Sequence, residues 1–132
     1  MFELSKIRNL TKTIKILYVE DDVRIREQVL GMFKQLHFQI DVAIDGKDGL
    51  EKFLEKEYDI VLSDIIMPRM DGMQMIQEMK RINPDIKIII TSAYNNEESV
   101  LRYESDINLY YDKPFSVPKL INDIIVLMTP PE

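Results

Sequence analysis

Three short runs, 14–19 (IKILYV), 59–63 (DIVLS) and 86–91 (IKIIIT), are rich in β-branched residues and nearly continuous in apolar character. Such runs suit strands buried on both faces, as in a parallel sheet covered by helices. Segments 38–43 and 107–111 are weaker candidates and suit edge strands. Between these runs the apolar period changes to that of helices. Ile25, Val29, Met32 or Phe33, and Leu36 form one stripe; Leu50, Phe53 and Leu54 form a shorter one after Gly46. Met73, Ile76, Met79 and Ile82 mark a third helix, closed by Asn83-Pro84 because proline restricts the residue before it. Val117, Leu120, Ile121, Ile124 and Met128 mark the last, with Ser116 placed to cap it and Pro118 tolerated in its first turn. Segment 97–104 also reads as helical, but only Val100 and Leu101 supply an apolar face, so it should be the least firmly packed.

The alternation of strand and helix, five times over, predicts an α/β fold: a doubly wound five-stranded parallel sheet with right-handed crossovers and helices on both faces. Such sheets place their ligands at the carboxyl ends of the strands, near the point where strand order reverses. The first strand ends in Glu20-Asp21-Asp22, the third in Asp64, the fourth in Thr91-Ser92, and the fifth runs into Lys113. Functional chemistry is expected there.

Size and charge narrow the field. At 132 residues the chain is about one domain long, enough for a core without a disulfide or structural metal. It contains no cysteine, which removes disulfides, thiolate metal sites and a cysteine nucleophile. A formal charge of -6 runs against a surface for nucleic-acid backbones, which normally carries a basic stripe. No run approaches the roughly 18 apolar residues of a membrane span, and the first residues do not read as a signal peptide. A cytoplasmic domain without membrane insertion is the expectation.

Several carboxylates brought to one sheet edge repel one another unless a cation joins them. Oxygen donors without His or Cys favour Mg²⁺ over zinc, with Mn²⁺ as a substitute. A carboxylate can also be the nucleophile that accepts a phosphoryl group, and Asp64 is best placed for it, at the end of a buried strand. Lys113 would add a positive contact and Thr91 a hydrogen bond to that group. Taken singly, each residue has a plainer reading. Glu20, Asp21 and Asp22 could cap the following helix; Asp64 could be a turn residue before Pro68; Thr91-Ser92 could be a turn; Lys113 could face solvent. Their coincidence at one edge favours the functional reading. The methionines from Met67 to Met79 read as core filler, and His37 as structural or surface.

Four motifs carry a family pattern: Ile16-Leu17-Tyr18-Val19-Glu20-Asp21-Asp22, Asp64-Ile65-Ile66-Met67-Pro68-Arg69-Met70-Asp71-Gly72, Ile90-Thr91-Ser92-Ala93 and Asp112-Lys113-Pro114-Phe115. In order and spacing they resemble the receiver domain of two-component response regulators, from about Lys15 to Leu127. The resemblance implies a flavodoxin-like strand order 2-1-3-4-5, with Asp64 as phosphoacceptor. It implies that Asp21 coordinates Mg²⁺ directly, that Glu20 acts chiefly through water, and that the backbone carbonyl of Ile66 completes the metal shell. Asp22 matches a third acid with a lesser, electrostatic role. Thr91 matches the switch hydroxyl, Tyr110 the switch aromatic, and Lys113 the lysine preceding what is often a cis proline bond.

The implied function is a phosphoacceptor signalling domain of a phosphorelay, not an enzyme beyond its own phosphorylation and dephosphorylation. Its partners would be a sensor histidine kinase or histidine phosphotransfer protein, and an output domain or partner protein. Phosphorylation would draw Tyr110 inward behind Thr91 and alter the face made by 97–104, 107–111 and 116–128. Ile66 and Ala93 occupy positions that influence acyl-phosphate hydrolysis; neither can position water, which implies a long-lived phosphorylated state. One departure stands out. Where many relatives have a Gly-Ala pair before the fifth strand, this chain has Asp106-Ile107, so the junction there is expected to be re-angled. Residues 1–13 read as an extension, an irregular arm or short helix, 14–128 as the receiver, and 129–132 as the start of a linker or tail. The alternatives are a docking module that is never phosphorylated, and a phosphohydrolase, for which the chain leaves little room.

Overall fold

A computed structural model describes residues 4–65, 70–93 and 106–130. Five strands, β1 (Lys15–Val19), β2 (Gln39–Ala43), β3 (Ile60–Asp64), β4 (Lys87–Ser92) and β5 (Leu109–Asp112), form one sheet in the order β2-β1-β3-β4-β5. Every pairing is parallel. The two weaker runs are thus the two edges. The described helices are α1 (Leu4–Thr11), α2 (Val23–Gln35), α3 (Gly46–Glu55), α4 (Gly72–Ile82) and α5 (Val117–Met128). The expected helix at 97–104 lies outside the described residues.

Strand alternation divides the apolar residues between two cores. Leu17, Val19, Val61, Ile88 and Ile90 face Phe53 of α3 and Met73, Met75, Ile76 and Met79 of α4. Ile16, Tyr18, Ile60, Leu62 and Ile89 face Val29 and Phe33 of α2 and Leu120, Ile121 and Ile124 of α5. Burial on both faces explains why the strands read as continuous apolar runs rather than alternating ones.

Two helix stripes need correction. Leu54 is 64% exposed and Ile82 44% exposed. In α3 the buried positions are Gly46, Gly49 and Phe53, not Leu54. Gly49 lets the helix approach closely, since a Cβ there would lie 2.8 Å from Met75 Sδ and 2.9 Å from a Val19 methyl. A side-chain periodicity search overlooks a face made partly by glycine.

Local signals set the helix starts. Asp22, Asp45, Asp71 and Ser116 cap α2, α3, α4 and α5, each accepting from backbone N–H groups of the first turn. Pro118 sits within the first turn of α5, as expected. The N-terminal segment forms a helix rather than an irregular arm. Ile7 and Leu10 of α1 pack on the α2/α5 core, and the buried Thr11 hydroxyl donates to Leu36 O at the end of α2.

Candidate phosphoacceptor site

Parallel strands bring their carboxyl ends to one edge. The register pairs Val19 with Ser63, Asp64 with Thr91, and Ser92 with Asp112. The residues that follow continue the ladder: Ile65 N donates to Thr91 O (3.2 Å) and Lys113 N to Ser92 O (2.7 Å). Glu20, Asp64, Thr91 and Lys113 are therefore placed by sheet geometry itself.

Lys113 is the centre of the charge arrangement. Its Nζ donates to Glu20 Oε1 at 2.7 Å and to Asp64 Oδ2 at 2.8 Å, and its side chain is only 10% exposed. The plain solvent-facing reading of this lysine does not hold. The Lys113–Pro114 peptide is cis. Glu20 is fully buried; its Oε2 accepts from Asp22 N (3.2 Å) and its backbone carbonyl from Arg26 Nη1 (2.8 Å). Burial pushes the Glu20 carboxyl above its ordinary value, and the Lys113 hydrogen bond only partly offsets this. For Lys113, burial favours the neutral amine, but hydrogen bonds to Asp64 and Glu20 outweigh it and hold the ammonium above its ordinary pKa.

Glu20, Asp21 and Asp64 each offer a carboxylate oxygen, and these atoms all lie within 4.8 Å of one another. Three carboxylates against one ammonium leave negative charge in excess among these four groups. A hard divalent cation suits that donor set. The Thr91 hydroxyl, on the strand beside Asp64, is buried and has no hydrogen-bond partner among the described residues. A buried donor without a partner is costly in the resting fold and points to an acceptor supplied from outside.

Other residues fall differently. Asp22 uses Oδ1 to accept from Arg24 N (2.9 Å) and Ile25 N (3.3 Å), which hold its carboxyl below the ordinary range. For this acid the plain capping reading is the structural fact. Ile66 lies outside the described residues. Tyr110 is half-buried against the α3/α4 core, and its hydroxyl donates to Asp112 Oδ1 (3.0 Å). Tyr111 joins the opposite core, as strand alternation requires. His37 is exposed, far from the site.

Sequence reasoning passed over Gly72, which abuts the acceptor loop. A Cβ there would lie 2.3 Å from Asp64 O and 2.8 Å from Ile65 Cα, and Gly72 N donates to Ile65 O at 2.6 Å. The signal was available in the Asp71-Gly72 pair at the head of α4. Tyr18, which reads in the sequence as one more strand residue, also carries a buried hydroxyl without a hydrogen-bond partner among the described residues.

The response regulator receiver domain family matches residues 16–125. Transcriptional regulatory protein HprR of Escherichia coli is 33% identical over 108 residues, covering 82% of this chain and 48% of that protein. A Francisella response regulator receiver domain superposes with a TM-score of 0.80 at 29% identity, covering 88% of this chain and 97% of that one. Response regulator TrrA of Thermotoga maritima, solved in complex with Mg²⁺-BeF, gives 0.78 at 31% identity, covering 87% and 99%. The chain spans about half the length of the curated relatives it matches first. This chain belongs to the response regulator receiver domain family. It is a phosphoacceptor signalling domain of the two-component type.

Proposed function

We propose that Asp64 receives the phosphoryl group, with Glu20, Asp21, Asp64 and the Ile66 carbonyl holding Mg²⁺. The observation that carries this reading is the cluster of three carboxylates, two of them bonded to Lys113, beside the Thr91 hydroxyl that has no partner among the described residues. When bound, Mg²⁺ supplies positive charge to the oxygens of the transferring group and offsets repulsion among the acids. An Asp64 carboxylate oxygen attacks phosphorus of a phosphohistidine. The O–P bond forms, the P–N bond breaks, and the departing imidazole takes up a proton. Lys113 turns from Asp64 and Glu20 toward the new phosphoryl oxygens, and Thr91 donates its hydroxyl to another.

The donor is a sensor histidine kinase or histidine phosphotransfer protein in the cytoplasm. The chain is not an enzyme toward outside substrates. Among the described residues no helix is long and apolar enough to cross a membrane. With Thr91 drawn toward the phosphoryl group, Tyr110 packs inward behind it, and the face around β5 and α5 passes the signal to an output domain or partner protein. The ligand has only to bias two arrangements a few kcal/mol apart. Ala93, exposed beyond β4, cannot position a hydrolytic water, which supports a long-lived acyl phosphate. Residues 14–128 form the receiver unit in this reading.

Intact-mass analysis after exposure to acetyl phosphate tests it. One added phosphoryl group, dependent on Mg²⁺ and lost in Asp64→Asn, is expected. Unchanged labelling in that variant would move the site. No labelling by acetyl phosphate or by a cognate kinase would favour a docking module that is never phosphorylated.

A further inference from the structure

Tyr18 is the largest fully buried side chain among the described residues, and its hydroxyl has no hydrogen-bond partner among them. A buried phenol normally finds an acceptor. Mere filling of the α2/α5 core would be served better by phenylalanine, which fits the same space without an orphan donor. The oxygen is therefore the feature that needs a purpose.

Its location suggests one. Tyr18 and Glu20 are two residues apart at the end of β1, so alternation puts both on the same side of the sheet. That side is also where Val117, just past Lys113 and Pro114, joins the core with Tyr18. A phenol, with an ordinary pKa of about 10, is neutral at pH 7 and so is available as a donor. In the resting site Glu20 Oε1 is answered by Lys113 and Oε2 by the Asp22 N–H. A carboxylate accepts about four hydrogen bonds, so room is left for a further donor. Once Lys113 turns to a phosphoryl group, Glu20 Oε1 loses its ammonium donor, and the carboxylate that faces the metal has room for another.

We propose that Tyr18 is a positioning residue of the phosphoryl-transfer site, its hydroxyl donating to the Glu20 carboxylate when Lys113 turns toward the phosphoryl group. The inference rests on the function proposed above and adds a residue to it. Tyr18 touches neither phosphoryl group nor metal. It keeps Glu20 oriented toward the acidic pocket while the lysine is engaged elsewhere. No bond is made or broken in this step, and no proton leaves the phenol.

Tyr18→Phe removes the oxygen alone, and its unfolding in metal-free buffer shows whether the core is retained. Binding of Mg²⁺ with beryllofluoride is then measured by calorimetry in wild type and variant, together with the NMR shift of the Tyr18 Cζ carbon in wild type. The expected result is a variant at least as stable as wild type, with the Mg²⁺-beryllofluoride complex weakened about tenfold, the scale of one hydrogen bond to a charged group. The Cζ resonance of wild type should move on binding, as an unpartnered phenol becomes a donor. Equal affinity in the two proteins with an unmoved Cζ resonance would overturn the inference and leave the Asp64 reading intact. Failure of wild type itself to bind Mg²⁺-beryllofluoride would overturn both. A less stable variant with unchanged affinity would assign Tyr18 to packing and overturn it as well.

Discussion

Two clusters of carboxylates at opposite edges of the sheet are built on different terms. On the lower side, where the strands begin, Asp41, midway along β2, accepts from the hydroxyl of Tyr58, just before β3, at 2.7 Å and from Lys56 Nζ at 3.3 Å. Asp59 Oδ2 accepts from Lys15 N at 2.9 Å, and the Tyr58 ring stacks on Phe53. Each acid there has donors in the fold, and the cluster serves stability. At the upper edge Glu20 and Asp64 share Lys113 with Asp21 close by, while Thr91 and Tyr18 keep buried hydroxyls without partners among the described residues. Native folds satisfy most buried polar groups, and the exceptions gather where a ligand completes the set. The contrast separates residues that hold the fold from residues that await chemistry.

The largest effect should come where backbone meets backbone under the acceptor. Gly72→Ala drives a Cβ onto Asp64 O, which cannot move aside as a flexible side chain would. We expect a loss of about 2–4 kcal/mol in urea unfolding, with impaired phosphorylation of whatever folds. Wild-type stability and labelling in this variant would mean that the close approach is not needed.

Tyr58→Phe tests the lower cluster and should cost about 1 kcal/mol at neutral pH. The Tyr58 hydrogen bond, then Lys56, holds the Asp41 carboxyl below its ordinary value. Stability from this bond is thus present above the unfolded aspartate pKa of about 3.9 and is lost as pH falls through the lower folded value. The gap between wild type and variant should narrow across that acid window, while Mg²⁺ binding stays unchanged. A gap independent of pH would contradict the assignment.

Smaller gains are available on α2 below the site. A Cβ at Gly31 would meet nothing within 4 Å, so Gly31→Ala should add about 0.5–1 kcal/mol. His37 ends the same helix at φ 66°, with His37 N bonded to Lys34 O, Phe38 N to Phe33 O, and the two phenyl rings 5.0 Å apart. This is a Schellman cap in a left-handed conformation where glycine is the favoured residue. His37→Gly should add about 0.5 kcal/mol. Both should leave Mg²⁺ affinity untouched; a change in either variant would show that the two edges are coupled.

The contrast between the edges also governs what could be read in advance. The upper edge was legible because its chemistry sits at strand ends, where parallel topology makes distant residues neighbours; Glu20, Asp64, Thr91 and Lys113 follow from four short motifs. The strand assignments rested on burial of both faces, which leaves an unbroken apolar run. Hidden were features that depend on three-dimensional fit. The glycine face of α3 displaced Leu54, and the Asp71-Gly72 pair hinted at a turn without showing how closely Gly72 approaches Asp64 O. Tyr18 looked like one more strand residue, since only an inventory of buried donors shows its oxygen unanswered. The left-handed cap at His37 was concealed by an atypical residue. Asp22 could not be divided between cap and pocket until its hydrogen bonds were placed.

The central claim is that the upper cluster holds excess negative charge that a divalent cation relieves, through Asp21 and Asp64 in particular. Urea unfolding with and without Mg²⁺ tests it most directly, in wild type, Asp21→Ala and Asp64→Asn. Wild-type stability should rise with Mg²⁺, by about 2.7 kcal/mol at 100 times the dissociation constant. Both variants should respond far less, and in metal-free buffer Asp21→Ala should equal or exceed wild type by up to about 1 kcal/mol. A wild type indifferent to Mg²⁺, or an Asp21→Ala protein strongly destabilised without metal, would contradict the account.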